Sequence, residues 1–349
     1  MTHGLTLGKY APLHAGHHRV IETALAEMDR VTAIIYDCPE TTLIPLNVRA
    51  DWLRDLYPGL RVVEAWDGPV EVGDTSEIKR QHEAYIIEEL GIRDVTHFYS
   101  SEFYGDHMSR ALGAVNRLVD PERIDVPASG TLIRADPWRW RHYLHPRVYR
   151  DLITNVVFLG APSTGKTTLA ETLARALDTV WMPEYGREFW EQHHRERRLS
   201  PDQLVEVAEG HLAREEALLL KANRYLLTDT NALTTFVFGD YYHGIVAPRL
   251  AELASAAERR YDLVFVCGTD IPYDDTWDRS GDVKRQVFQK RILADLHRRR
   301  VPYFLLSGDL QRRSECVRQV LAVYQKYGSQ TSNLVAAHAV LAGVADEPA

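Results

Sequence analysis

Apolar positions along the chain fall into two kinds of run, short continuous stretches and longer stretches with helical spacing. Leu5 and Leu7 form a short apolar run that ends at Gly8. Helical spacing follows through Val20, Ile21, Leu25 and Met28. Residues 31–36 are continuously apolar, as a strand buried on both faces requires. Residues 47–56 read as a helix, 61–66 as a strand, 78–90 as a helix ending at Gly91, and 95–100 as a strand. This βαβα rhythm predicts a parallel, doubly wound sheet.

The rhythm restarts near Thr154. Residues 155–159 read as a buried strand, and 166–177 as the helix that follows. Helices are expected over 202–221, 285–300 and 311–324, and strands over 225–230, 262–267 and 303–307. The expected organisation is therefore two α/β domains, each a doubly wound parallel sheet. They are expected at 1–150 and 151–325, with a weakly patterned tail at 326–349.

Composition narrows the class. A hydrophobic fraction of 45% with 26% charged residues is that of a soluble globular protein. The net charge of −8 argues against a nucleic-acid-binding surface. There is no apolar run of about 18 residues, and no basic region followed by a long apolar stretch. Neither a membrane span nor a secretion signal is expected, and a cytoplasmic location is. Cys38, Cys267 and Cys316 lie far apart, without metal-ligand spacing, and read as reduced thiols.

The first chemical signal is Gly8-Lys9-Tyr10-Ala-Pro-Leu-His14-Ala-Gly-His17, where a strand gives way to a helix. Gly8 and Gly16 allow close approach of a nucleotide to the backbone. The helix N-terminus offers unpaired N–H groups and a positive dipole end to phosphate. His14 and His17 share one face of the first turn, where both can donate to a triphosphate. A Zn²⁺ pair or two incidental helix residues are the alternatives, and the flanking Gly8, Pro12 and Gly16 favour phosphate. Farther on, Ser129-Gly-Thr131-Leu-Ile-Arg134 reads as a loop entering a helix. Ser129 and Thr131 can cap that helix and Arg134 can face the same anion, or the stretch is an ordinary cap with a surface arginine.

The second signal is Gly160-Ala-Pro-Ser163-Thr164-Gly165-Lys166-Thr167, a complete phosphate loop between a strand and a helix. Gly160 and Gly165 let the backbone wrap phosphates, Lys166 reaches the β- and γ-phosphates, and Thr167 can hold Mg²⁺. Ser163, Thr164 and Thr168 complete the set expected against the nucleotide. Asp229 ends a strand and so faces the ligand crevice, as a metal partner, a proton acceptor or simply a helix cap. Glu184 and Arg187 read as substrate contacts or as a surface ion pair. Arg279 sits where a lid arginine, or a solvated charged turn, is expected.

The pairing of His-x-Gly-His with Ser-x-Thr-x-x-Arg resembles the nucleotidyltransferase superfamily. The two halves together, including Glu184-Tyr-Gly-Arg187-Glu188 and Thr228-Asp229-Thr-Asn231, resemble the NadR-type bifunctional enzymes over about residues 4–325. The resemblance lacks the N-terminal helix-turn-helix domain that some relatives carry. It implies a Rossmann-like adenylyltransferase followed by a P-loop kinase that uses ATP and Mg²⁺. The kinase would convert nicotinamide riboside to nicotinamide mononucleotide (NMN), and the adenylyltransferase would convert NMN to NAD.

By the same resemblance Gly8, Lys9, Tyr10, His14, His17, Ser129, Thr131 and Arg134 would bind and activate the first ATP, with Arg49 helping nearby. Gly165, Lys166, Thr167 and Asp229 would act in the second domain, with Glu184 and Arg187 near the riboside. Nucleic acid and membranes are not expected partners, and a homo-oligomer is compatible with the sequence. Three other readings are weighed against this one. They are a chain active only as a kinase, a coenzyme A-type adenylyltransferase–kinase fusion, and a regulator that senses NAD or ATP without turnover.

Overall fold

Strands pair in parallel throughout both sheets of this α/β chain. The computed structural model describes residues 1–71, 73–101, 105–194, 198–273 and 285–345, with 343–345 described as backbone. Two units divide at residue 151, Met1–Asp151 and Leu152–Ala349.

In the first unit the strands are β1 (His3–Gly8), β2 (Arg30–Tyr36), β3 (Leu60–Ala65), β4 (His97–Ser100) and β5 (Val115–Leu118). Their order is β3-β2-β1-β4-β5. The helices are α1 (Ala15–Glu27), α2 (Leu46–Leu56), α3 (Ser76–Ala84), α4 (Gly105–Leu112), α5 (Gly130–Ala135) and α6 (Pro146–Leu152). Residues 31–36 of β2 are all buried, which is why the stretch shows no alternation. Leu5, Ile34, Phe98, Ile86 and Met108 share one core. The strand order reverses between β1 and β4, so a ligand crevice opens beyond their carboxyl ends. The sequence reading misses β5 because Val-Asn-Arg-Leu is a largely exposed edge strand with no apolar pattern.

The second unit contains β6 (Thr154–Leu159), β7 (Trp181–Met182), β8 (Tyr225–Asp229), β9 (Leu263–Cys267) and β10 (Phe304–Leu306), in the order β10-β9-β6-β8-β7. Its helices are α7 (Lys166–Ala176), α8 (Tyr185–His193), α9 (Pro201–Leu219), α10 (Ala232–His243), α11 (Pro248–Ala257), α12 (Arg285–Arg299), α13 (Leu310–Val323) and α14 (Gln330–Ala345). Val156 and Phe158 pack into a core with Leu169, Leu173 and Val317. Their neighbours Val157 and Leu159 pack into a second core with Val237, Phe288 and Ile292. Period-two alternation thus feeds two apolar layers instead of one apolar and one wet face.

The weakly patterned tail carries a helix that the sequence reading does not assign. Residues 330–345 form α14, and Ala337 is buried in the core shared with Val317 and Leu321. Its small and apolar side chains run all round the helix, so no stripe announces it. Among the described residues no helix is long and apolar enough to cross a membrane.

Candidate active sites

Each sheet carries one crevice at its carboxyl edge. In the first unit a cavity of about 550 Å³ is lined by Gly8, Lys9, Tyr10, His14, His17, Ser129, Thr131 and Arg134, among others. Two motifs more than a hundred residues apart in sequence therefore share one space. Gly130 lies so close to the first loop that an added Cβ would meet the Ala11 carbonyl at 3.0 Å. Arg134 donates to that same carbonyl and, at 3.2 Å, to Thr131 Oγ1.

The α1 N-terminus fixes both histidines. His14 is the N-cap, and its Nδ1 accepts from the Gly16 N–H at 3.1 Å. His17 Nδ1 accepts from the His14 N–H at 3.3 Å, closing a reciprocal cap. The rings lie 3.9 Å apart. With both Nδ1 atoms accepting, each neutral ring carries its proton on Nε2 and offers it as a donor. Gly16 is required here, because a Cβ would sit 3.1 Å from the His14 ring. Burial pushes the His14 pKa down to about 4, helped by His18, Arg123 and Arg134. Burial and His14 hold His17 well below the ordinary histidine range. The pair is therefore neutral at pH 7. The zinc alternative finds no support, since among the described residues no three His, Cys, Asp or Glu side chains could hold a metal.

Other expected residues take different places. Ser129 caps α5 by accepting from the Leu132 N–H at 3.3 Å, whereas Thr131 accepts from Arg134 and caps nothing. Lys9 is engaged by Glu40 at 2.6 Å and Thr41 at 3.0 Å. Tyr10 is buried, with its ring against Gly8, and both residues line the cavity. Arg49 is a correction. It is fully buried and donates to the Ile44, Lys9 and Tyr36 carbonyls, so it braces the loops after β1 and β2 and does not line the cavity. On the same helix as Arg49, Trp52 is core, with its indole N–H on Asp151 at 2.8 Å. Arg123, which the motifs do not predict, lines the cavity and acts electrostatically on both histidines.

In the second unit the phosphate loop runs from β6 into α7. Gly160 has φ +140°, and a Cβ there would meet the Cys267 carbonyl at 2.8 Å, so only glycine fits. Lys166 is buried, and its Nζ donates to the Gly160 and Ala161 carbonyls at 3.1 and 3.0 Å. Thr164 turns its hydroxyl onto the Ala161 carbonyl at 2.8 Å, so that side chain shapes the loop. Ser163 and Thr168 line the cavity.

Distant side chains brace this loop, and the motif alone does not predict them. Gln289 accepts from the Ala161 N–H at 2.8 Å, Arg285 donates to the Ser163 carbonyl at 2.8 Å, and Arg313 donates to the Thr164 carbonyl at 2.7 Å. Arg313 also binds Asp270 at 2.6 Å. A glutamine on α12 and a buried arginine on α13 carry no local signal of this role.

Asp229 lies at the end of β8, fully buried, and accepts from Thr167 Oγ1 at 2.5 Å. Its Oδ1 has no partner among the described residues. Burial, with the charge of Glu184, raises its pKa to about 6, against the pull of Lys166 and Arg187. Thr167 and Asp229 together offer one hydroxyl and one carboxylate oxygen. That donor set fits Mg²⁺, which favours oxygen ligands and keeps several waters or phosphate oxygens.

Glu184 and Arg187 pair at 3.5 Å on the wall of the same cavity, which has a volume of about 490 Å³. Trp190, Phe238 and Tyr242 line it too. Arg279 lies outside the described residues, as do Glu102, Phe103 and Tyr104 of the first unit.

Comparison with known proteins follows this geometry. A family model described as an AAA domain matches residues 155–313. The trifunctional NAD biosynthesis/regulator protein NadR of Salmonella typhimurium is 26% identical over 319 residues, covering 86% of this chain and 77% of that protein. The protein of the same name from Escherichia coli is 26% identical over 321 residues, covering 86% and 78%. A crystal structure of NadR in complex with NAD and AMP-PNP superposes with a TM-score of 0.53 at 21% identity, over 98% of this chain and 95% of that one. At that identity the superposition speaks for the fold. In sequence, and in the fold of its two parallel α/β sheets, the chain is similar to the NadR proteins.

Proposed function

We propose that the chain makes NAD in two steps, one in each unit. In the second unit the 5′-hydroxyl of nicotinamide riboside attacks the γ-phosphorus of ATP. A new O–P bond forms, the β,γ-bridging bond breaks, and ADP leaves with the electron pair. Asp229, ionised above about pH 6, would take the hydroxyl proton. Lys166 and the loop N–H groups neutralise charge on the transferring group. Thr167 would hold Mg²⁺, with Asp229 as a further oxygen ligand where it is not the proton acceptor, and the ion would supply further charge neutralisation.

In the first unit a phosphate oxygen of NMN attacks the α-phosphorus of a second ATP. The α,β-bridging bond breaks and pyrophosphate leaves. The Nε2–H groups of His14 and His17, with Arg134, are the donors for the charge that builds on the α-phosphate.

The observation that carries the reading is the second cavity. The phosphate loop, with Thr167, and a chamber walled by Glu184, Arg187 and Trp190 line one space, and the buried Asp229 is hydrogen-bonded to Thr167 behind that wall. The relatives are named for NAD biosynthesis, and a NadR structure similar to this chain (22% identity, TM-score 0.54) holds NR. The test is a product assay with nicotinamide riboside, ATP and Mg²⁺, resolved by chromatography over time. NMN with ADP, followed by NAD with pyrophosphate, is expected. NMN without NAD would leave a kinase alone, and an untouched riboside would end the proposal.

A further inference from the structure

Three buried polar atoms around the second cavity have no partner among the described residues. They are His211 Nε2, Asn231 Nδ2 and Thr234 Oγ1. Their residues are 5%, 3% and 4% exposed, and all three line the cavity that holds the phosphate loop. Buried polar groups are nearly always paired, so three orphans around one cavity point to a partner that comes from outside the chain. The mechanism above uses none of them.

Their hydrogen-bonding roles are fixed by their other contacts. Asn231 caps α10, with Oδ1 accepting from the Leu233 N–H at 3.0 Å. That sets the amide orientation and leaves Nδ2 as a donor. The His211 ring faces the Thr230 backbone, next to Asn231, and that contact favours a proton on the ring against the opposing effect of burial. Nε2 has no partner among the described residues, and with the ring proton on Nδ1, towards the Thr230 backbone, Nε2 is an acceptor. Burial, with Arg260 and Arg214 nearby, lowers the His211 pKa to about 4 and keeps the ring neutral. Just beneath its surface the floor thus holds an acceptor, a donor and a hydroxyl that can serve as either.

We propose that His211, Asn231 and Thr234 read the acceptor nucleoside through a group that offers a hydrogen-bond donor and an acceptor side by side. The inference rests on the kinase reading above and names what its acceptor subsite selects. A primary carboxamide meets the requirement, its N–H₂ on His211 and its carbonyl on Asn231. A ribose hydroxyl pair meets it as well. A carboxylate does not, because it brings no donor for His211 Nε2.

The test is calorimetric titration of the whole chain with nicotinamide riboside and, separately, nicotinate riboside. Wild type, His211→Phe, Asn231→Asp and Thr234→Val are compared, with thermal melting as the control for folding. Asn231→Asp keeps the capping oxygen and removes the donor, and Thr234→Val keeps the shape, so the test does not depend on His211→Phe folding. Each folded variant is expected to weaken nicotinamide riboside binding by roughly tenfold. If the floor faces the carboxamide, wild type favours the amide and His211→Phe erases that preference. If it faces the ribose, His211→Phe weakens both ligands equally. Dissociation constants within twofold of wild type for all folded variants on both ligands would overturn the inference and leave the kinase reading standing. A wild-type chain that neither binds nor phosphorylates either riboside removes the kinase reading and this inference with it.

Discussion

The two crevices hold elements of the same kind, a helix N-terminus after a parallel strand, but these are braced differently. In the first unit the working groups are side chains fixed by near neighbours, with His14 bonded to Gly16 and His17 to His14. In the second the working surface is backbone, and its supports arrive from 122, 128 and 149 positions away in sequence. The charge logic is reversed as well. Burial keeps the first site's bases unprotonated, whereas it favours the protonated form of the second site's acid. One unit presents neutral donors and the other a carboxylate that titrates near neutrality.

The largest expected effect separates the units outright. Lys166→Ala removes the buried cation at the phosphate loop and is expected to lower NMN formation about 10³-fold. NAD formation from supplied NMN should stay within twofold of wild type. The mirror experiment is His17→Ala, expected to lower NAD formation from supplied NMN about 10²-fold with NMN formation unchanged. Two coupled assays on each purified variant check both. An equal loss of both activities in either variant would break the two-site comparison.

The contrast also explains what the sequence could reveal. The His14–His17 cap and the phosphate loop are each encoded within ten residues, so their spacing identifies them before any fold is known. The sheets are similarly legible, because strands buried on both faces leave continuous apolar runs such as 31–36. Gln289 and Arg313 look like ordinary polar positions of amphipathic helices, and their meaning depends on where β6, α12 and α13 meet. Arg49 shows the opposite failure. A basic residue near a nucleotide motif suggests a ligand contact, yet its guanidinium is consumed by backbone carbonyls. His211 did carry a local signal, as a histidine in the buried stripe Leu204, Val207, Ala208 of α9, but a satisfied core histidine leaves the same trace.

A smaller effect, on stability, sharpens the reversed charge logic. Asp229 has its folded pKa raised from 3.8 to about 6, so above pH 6 folding bears the cost of an ionised buried carboxylate. Asp229→Asn removes that cost. It should raise stability by on the order of 2–3 kcal/mol at pH 7, a gain that fades as pH falls from about 6 to about 4, while abolishing riboside phosphorylation. His14 has its folded pKa lowered from 6.5 to about 4, so its cost appears only on acidification. His14→Asn, which keeps a capping side chain, should therefore gain stability relative to wild type as pH falls from 6.5 towards 4, again by on the order of 2–3 kcal/mol. Melting curves from pH 4 to 8 read both trends, and gains with the same pH dependence in the two variants would contradict the assignment.

The smallest expected effect decides whether Lys9 belongs to the first site at all. Lys9 lines the cavity, but its ammonium is bound to Glu40 and Thr41, and both members of the ion pair are at least one-third exposed. Exposed pairs of this kind contribute about 0–1 kcal/mol, so Lys9→Met should barely move the melting temperature. If Glu40 keeps the charge occupied when ATP binds, KM for ATP in NAD formation should rise no more than about threefold. The dependence of that KM on salt should also match wild type. If Lys9 leaves Glu40 for the triphosphate, the same variant should lose tenfold or more, with a shallower salt dependence. Glu40→Gln then discriminates further, because releasing the lysine should lower KM only in the second case.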